Sequence, residues 1–185
     1  MTPELEAAYA EPHRRYHTRR HIEQGLALLE QVPDLMDSER QVLTYAWWWH
    51  DAVYDPQASD NEARSAEMAR RDLRDLDVSL HAREEVARLI GLTAGHAVEA
   101  EDRLGEILVS IDLAILAAAP LDYDAYAQAV REEYAHVPDA AWKIGRRRVM
   151  QAFLDAPVIY PDAQFRALFE DVARANIARE LADLG

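Results

Sequence analysis

No cysteine occurs in the 185 residues of this chain. Disulfides and thiolate metal ligands are thereby excluded, so any metal must be gripped by histidine and carboxylate. Glycine is scarce, at six residues, which argues against flexible linkers and disordered tracts. Lysine occurs once, as Lys143, so nearly all positive charge is arginine. Long hydrophobic runs are missing as well: the most apolar stretch, Leu113 to Pro120, is far short of a membrane span. The start, Met1-Thr2-Pro3-Glu4-Leu5-Glu6, is acidic without an apolar core, so no secretory signal is expected. The expectation is a soluble cytoplasmic protein with no membrane partner, and the lack of cysteine is compatible with that.

The formal net charge is -14. A chain this acidic lacks the basic face that duplex nucleic acid or an anionic membrane needs. A small phosphorylated substrate is still allowed, because a bound cation and a few arginines can make one pocket locally positive. Arginine suits bidentate phosphate contacts, although a GC-rich coding sequence is the better account of most of these arginines.

Half the residues are hydrophobic, enough for one domain with a sizeable core. Their spacing is helical almost throughout. Thr2-Pro3 caps and opens a short helix that Pro12 ends. Thr18 opens a second, with Ile22, Leu26 and Leu29 at helical spacing before Pro33. Ser38 opens a third, predicted to run through Leu43, Ala46, Trp47 and His50 to Tyr54. Ser59-Asp60-Asn61-Glu62 has the capping-box spacing and begins a fourth, reaching Leu76. Further helices are predicted over about Leu80 to Gly95, Glu101 to Ala118, Asp122 to His136, Asp139 to Leu154 and Pro161 to Leu184. Val158-Ile159-Tyr160 is a weak strand candidate. The fold class predicted is all-α: a single domain, 1–185, of about eight to nine helices.

Two placements of charge stand out. His50-Asp51 ends the apolar segment Ala46-Trp47-Trp48-Trp49, and a charge buried there is costly unless paired or bound to a metal. On a helix His50 shares a face with Leu43, Ala46, Trp47 and Tyr54. Adjacent helical side chains diverge by about 100°, yet both can grip one ion lying over the seam between them. The bland alternative is a satisfied core histidine beside a locally paired aspartate. Asp112 is the sole charge from Ile107 to Pro120. Alone it reads as an arginine salt bridge or a helix cap; with His50-Asp51 it reads as a metal ligand.

His21 sits in the first turn of its helix and is followed by Ile22. His17 lies four residues before it, so one can bind metal while the other touches substrate. Solvated surface histidines are the alternative, more so for His13 and His17 than for His21. His96 is either a cation favoured by the helix dipole or an extra ligand. Glu62 stands close to the pair in sequence as a general acid or base, and Arg64, one turn on, can take a phosphate oxygen. Three consecutive tryptophans cannot all face one core direction, so at least one lines a pocket, a second packing layer or a homodimer interface.

The order His21, His50-Asp51, Asp112 across a helical chain resembles the HD superfamily of metal-dependent phosphohydrolases. More narrowly, it is similar to the small bacterial branch described as predicted HD-superfamily metal-dependent phosphohydrolases. The segments that carry the resemblance are Arg15-Tyr16-His17-Thr18 with His21; Trp49-His50-Asp51-Ala52-Val53-Tyr54-Asp55; Asp60-Asn61-Glu62 with Ser65; Thr93 with His96; Asp112-Leu113-Ala114-Ile115-Leu116; and Tyr126 with Val130 and Arg131. The resemblance implies an HD-type helical bundle with His21, His50, Asp51 and Asp112 as metal ligands, Asp51 bridging where two ions bind, and His96 at the place of an additional ligand. Dinuclear members carry a further histidine between His96 and Asp112. This chain has none, so one ion is favoured over two. Glu62 and Asp60 match the region where related nucleotidases keep catalytic carboxylates.

The function expected is hydrolysis of a small phosphoester, a nucleotide by family habit. Asp51, or Glu62 through water, would take the nucleophile's proton, and Arg64, or Arg19 and Arg20 beside His21, would hold phosphate oxygens. The mixed ligand set suits a divalent transition metal, Mn, Fe, Ni, Co or Zn, with Mg also allowed. The rivals are a non-catalytic metal- or nucleotide-binding module and, less favoured, a diiron oxygenase.

Overall fold

The computed structural model describes residues 2–185. It holds nine α-helices: α1 (Pro3–Ala8), α2 (Arg19–Glu30), α3 (Asp37–Trp49), α4 (Asn61–Asp75), α5 (Leu80–Leu92), α6 (Arg103–Asp112), α7 (Pro120–Glu133), α8 (Asp139–Asp155) and α9 (Ala163–Asp183). A 3-10 turn, Leu113–Ala117, extends α6. The all-α expectation holds, and the helices pack around one contiguous core.

Several ends follow from caps. Thr2 Oγ1 accepts from the Leu5 amide, and Pro3 fills the first helical position, where its missing N–H costs nothing. Asp162 accepts from the amides of Gln164 and Phe165 to start α9, and Asp102 accepts from Gly105 to start α6. The capping box expected at Ser59 to Glu62 does not form. α4 begins at Asn61 behind Asp60, which makes no side-chain cap. Asn61 instead bonds back across the preceding loop, its Oδ1 accepting from the Asp55 amide and its Nδ2 donating to the Asp55 carbonyl.

No strand occurs among the described residues, and the candidate at Val158 to Tyr160 is a loop. The Glu170 carboxylate accepts from the amides of Ile159 and Tyr160, and the Tyr160 hydroxyl donates to the Leu113 carbonyl. The buried backbone is satisfied by side chains and needs no ladder. No single helix among the described residues is long and apolar enough to cross a membrane.

α6 runs through the middle, with Ile107, Leu108, Val109 and Ile111 all buried. α3 lies against α2, α4, α5 and α6, and α9 packs across the 3-10 turn and α8. Asn176 of α9 donates to the carbonyls of Leu116 and Ala118, fixing the turn in place. The tryptophans divide as their helical directions require: Trp47 and Trp49 are buried, and Trp48 is half-buried against the core.

Trp47 sets how closely α2 and α3 approach. Its indole N–H donates to the Ile22 carbonyl at 2.8 Å, and its ring occupies the space where Gly25 would carry a β-carbon. The same ring stacks on His50 with centroids 4.3 Å apart and lies 4.9 Å from the His21 ring. Gly25→Ala is therefore expected to lose about 1–3 kcal/mol of stability through overpacking, measured by urea denaturation.

Candidate metal centre

The third helix stops one residue short of the His-Asp pair, against the expectation that it runs on to Tyr54. α3 ends at Trp49; His50 keeps helical backbone angles and Asp51 lies in the turn beyond. The stop has a visible cause. The Ala52 amide bonds the Trp49 carbonyl at 3.1 Å in a tighter turn, and beyond the helix end buried Arg14 donates to the carbonyls of Asp51, at 2.7 Å, and Ala52, at 3.1 Å. Ser65 of α4 bonds both the amide and the carbonyl of Val53. The turn swings the Asp51 carboxylate back onto the imidazole beside it, where a regular helix would hold the two apart.

His21 comes from α2, His50 and Asp51 from the end of α3, and Asp112 from the last position of α6. His50 Nε2 lies 3.0 Å from Asp51 Oδ2 and 3.2 Å from His21 Nε2. His21 Nε2 is 3.7 Å from Asp51 Oδ2 and 3.5 Å from Asp112 Oδ1, and His50 Nε2 is 3.7 Å from that same Asp112 oxygen. Ligands bonded at about 2.1 Å to one ion stand about 3.0 Å apart at right angles and about 3.6 Å apart at 120°. The spacings match. His21, His50 and Asp51 thus form a cluster that can hold a metal ion, and Asp112 Oδ1 sits beside both of its imidazoles.

His50 Nδ1 lies 2.8 Å from the Trp47 carbonyl. A carbonyl only accepts, so Nδ1 carries the proton and Nε2 is left for the cluster. Burial disfavours the His50 cation, but Asp51 and Asp112 outweigh it and push its pKa up to about 9. His21 is lowered, chiefly by burial and against its bond to Asp112. Asp51 and Asp112, despite burial, stay far below the usual carboxylate range because imidazoles surround them. Without an ion, two carboxylates share the charge of His50; a cation in its proton's place balances the site better.

Neither local alternative for Asp112 is realised. No arginine lies within ion-pair distance of it among the described residues; its partners are His21, His50 and His96. His96 approaches the other oxygen, Nε2 to Oδ2 at 3.0 Å. It takes a left-handed backbone, φ 53°, just after Thr93 and the Leu92 carbonyl close α5. His96 therefore sits one carboxylate away from the three-residue cluster, where it orients Asp112 or supports a neighbouring cation.

A cleft of about 1060 Å³ opens over the cluster. Asp51, Asp112, His96 and His17 line one part, and Tyr126, Phe153 and Arg148 another. Glu62 lines it too, beside Asn61 and Ser59. Four other residues are placed elsewhere. Asp60 is exposed and pairs at 3.7 Å with Arg64, which faces a different depression. Arg19 is exposed and pairs with Glu23 one turn on, and Arg20 is exposed on the same helix. Their helical directions turn them from the cleft, so none of these arginines lines it beside the metal cluster.

Two residues that hold the site together went unnoticed in the sequence. Arg14 had no marker among its charged neighbours. Glu133 did have one, since it follows Tyr126 and Val130 at helical spacing on the inward face of α7. One Glu133 oxygen accepts from three successive amides, Arg15, Tyr16 and His17, at 2.7, 2.8 and 3.1 Å. The other meets His17 Nδ1 at 2.7 Å and the Tyr54 hydroxyl at 2.9 Å. Burial opposes the Glu133 charge, but these donors, His17 first, pull its pKa down to about 2. His17 itself is raised: burial opposes the cation, while Asp51 and Glu133 favour it.

No family model, curated protein or solved structure matches this chain.

Because the folded pKa of Glu133 is depressed, its stabilisation is fully present above the ordinary value of 4.5 and is lost as pH falls toward about 2. Glu133→Gln is expected to cost about 2–3 kcal/mol at neutral pH. Denaturant titrations of both proteins from pH 7 down to pH 2 check this, the difference shrinking below pH 4.5.

Proposed function

We propose that this chain is a metal-dependent phosphohydrolase acting on a small phosphoester, of the kind its resemblance to the HD superfamily implies, with a nucleotide as the substrate class. The observation that supports this best is the convergence of His21, His50 and Asp51 at 3.0 to 3.7 Å, with Asp112 Oδ1 3.5 and 3.7 Å from the two imidazoles and the His50 tautomer set by the Trp47 carbonyl. The mixed imidazole and carboxylate donors favour Mn, Fe, Ni, Co or Zn, with Mg allowed. A single ion fits the compact cluster, and His96 serves through Asp112. When bound, such an ion polarises a phosphoryl oxygen and acidifies a water.

The protein's own groups divide the remaining work. Asp51 faces the cleft and accepts the proton of the attacking water. Glu62, on the cleft wall, relays a proton through water to or from the reacting oxygens. His17, held at Nδ1 by Glu133, steadies a phosphate oxygen or protonates the departing one. Arg148 lines the cleft and takes the phosphate-holding role first considered for Arg64, Arg19 and Arg20. The cleft is much larger than a phosphate, and Tyr126 and Phe153 offer ring surfaces for the organic part of an ester.

Elemental analysis of the purified chain after loading with Mn, Co or Ni is expected to find about one ion per chain, with Asp51→Ala holding none and hydrolysing no member of a nucleotide panel. An active, metal-loaded Asp51→Ala protein sinks the proposal. Metal and nucleotide binding without turnover favours the non-catalytic module, and two irons per chain the oxygenase. Glu62→Gln is expected to lower kcat by about 10²-fold or more with metal content unchanged; parallel loss of metal makes Glu62 a ligand instead.

A further inference from the structure

A second depression, of about 510 Å³, lies over α4 and α5 and shares no lining residue with the metal-bearing cleft. Arg64, Arg70, Arg71 and Arg74 from α4 and Arg83 from α5 line it, against the carboxylates of Glu67 and Glu84 alone. Such a concentration of guanidinium runs against a net charge of -14.

Four of the five arginines have acidic neighbours. Arg70 meets Glu84 at 3.0 Å and Glu67 at 3.6 Å. Arg71 meets Asp72 at 2.7 Å, Arg74 meets Asp75 at 3.3 Å and Arg64 meets Asp60 at 3.7 Å. Arg83 is different. Its Nε is closed off from solvent and has no hydrogen-bond partner among the described residues. A desolvated donor left unmade is unfavourable, and guanidinium forks match the geometry of phosphate oxygens.

We propose that this depression binds a phosphate-type oxyanion, held by the guanidinium end of Arg83 together with the α4 arginines that line it. Free inorganic phosphates and the phosphate tail of a nucleotide share this chemistry. The site stands independently of the hydrolytic reading. It has an internal reporter, because the Asp72 carboxylate that pairs with Arg71 also accepts the Trp49 indole N–H at 3.1 Å.

The test is calorimetric titration of inorganic pyrophosphate into the full chain stripped of metal by chelation, at low salt. One pyrophosphate per chain is expected, with affinity falling as salt rises. Arg83→Gln is expected to weaken binding by about tenfold or more, while Asp51→Asn leaves it within about twofold. The Trp49 indole resonance, assigned with Trp49→Phe, is expected to move during the titration. If Arg83→Gln melts early, exposed Arg74→Gln carries the same comparison. Absence of both heat and resonance shift at millimolar pyrophosphate overturns the site. Binding that Asp51→Asn abolishes and Arg83→Gln spares overturns it too, and places the anion in the metal cleft. Titration of a nucleoside triphosphate alongside separates the two sources: tighter binding identifies the nucleotide tail, equal binding the bare phosphate group.

Discussion

Two aspartates of this protein meet at one pair of imidazoles in its interior, and their charges must be compensated there. Asp51 and Asp112 both stay ionised in spite of burial. The penalty for such charges is several kcal/mol each unless partners converge on them. Three separate helices end at or near this point to supply those partners: α3 stops before His50-Asp51, α5 stops before His96, and α6 gives way to a 3-10 turn after Asp112. α2 adds His21 from its first turn. The bundle's irregularities thus gather where the charge problem lies, as expected where function has priority over regular structure.

Around that centre, buried side chains fix the backbone that carries the cluster. Arg14 holds the carbonyls of Asp51 and Ala52 in the turn beyond α3, and it packs between Tyr9 and Tyr54. Glu133 gathers three amides of the segment leading into α2 and aligns His17 and Tyr54. Trp47 wedges against Gly25 and backs both imidazoles. Each joins segments far apart in the chain, so side-chain positions in the cluster depend on the whole bundle.

α4 serves two surfaces. Asn61 and Ser65, one turn apart, clasp the loop that follows Asp51. Its arginines look outward over a depression that meets the loop at Val53. One helix therefore carries both the support of the histidine–aspartate cluster and the arginine wall of the proposed anion site.

The sequence by itself determined the helical character and most of the helix positions. Apolar spacing, proline and the cap at Thr2 act within a few residues and can be read locally. It also marked His50-Asp51 and Asp112, because charge in an apolar helix stands out without any knowledge of neighbours. The arginines were misplaced, since composition reveals a cation but not the face it occupies. The helix through His50 is shorter than its apolar spacing predicts, the capping box at Ser59 does not form, and Val158 to Tyr160 is no strand. In each case a side chain further along the chain, Ser65 for the first, Asn61 for the second and Glu170 for the third, offers the backbone a better partner. Only the folded structure decides those, because a hydrogen bond to a side chain in a neighbouring segment outweighs a local preference of a few tenths of a kcal/mol.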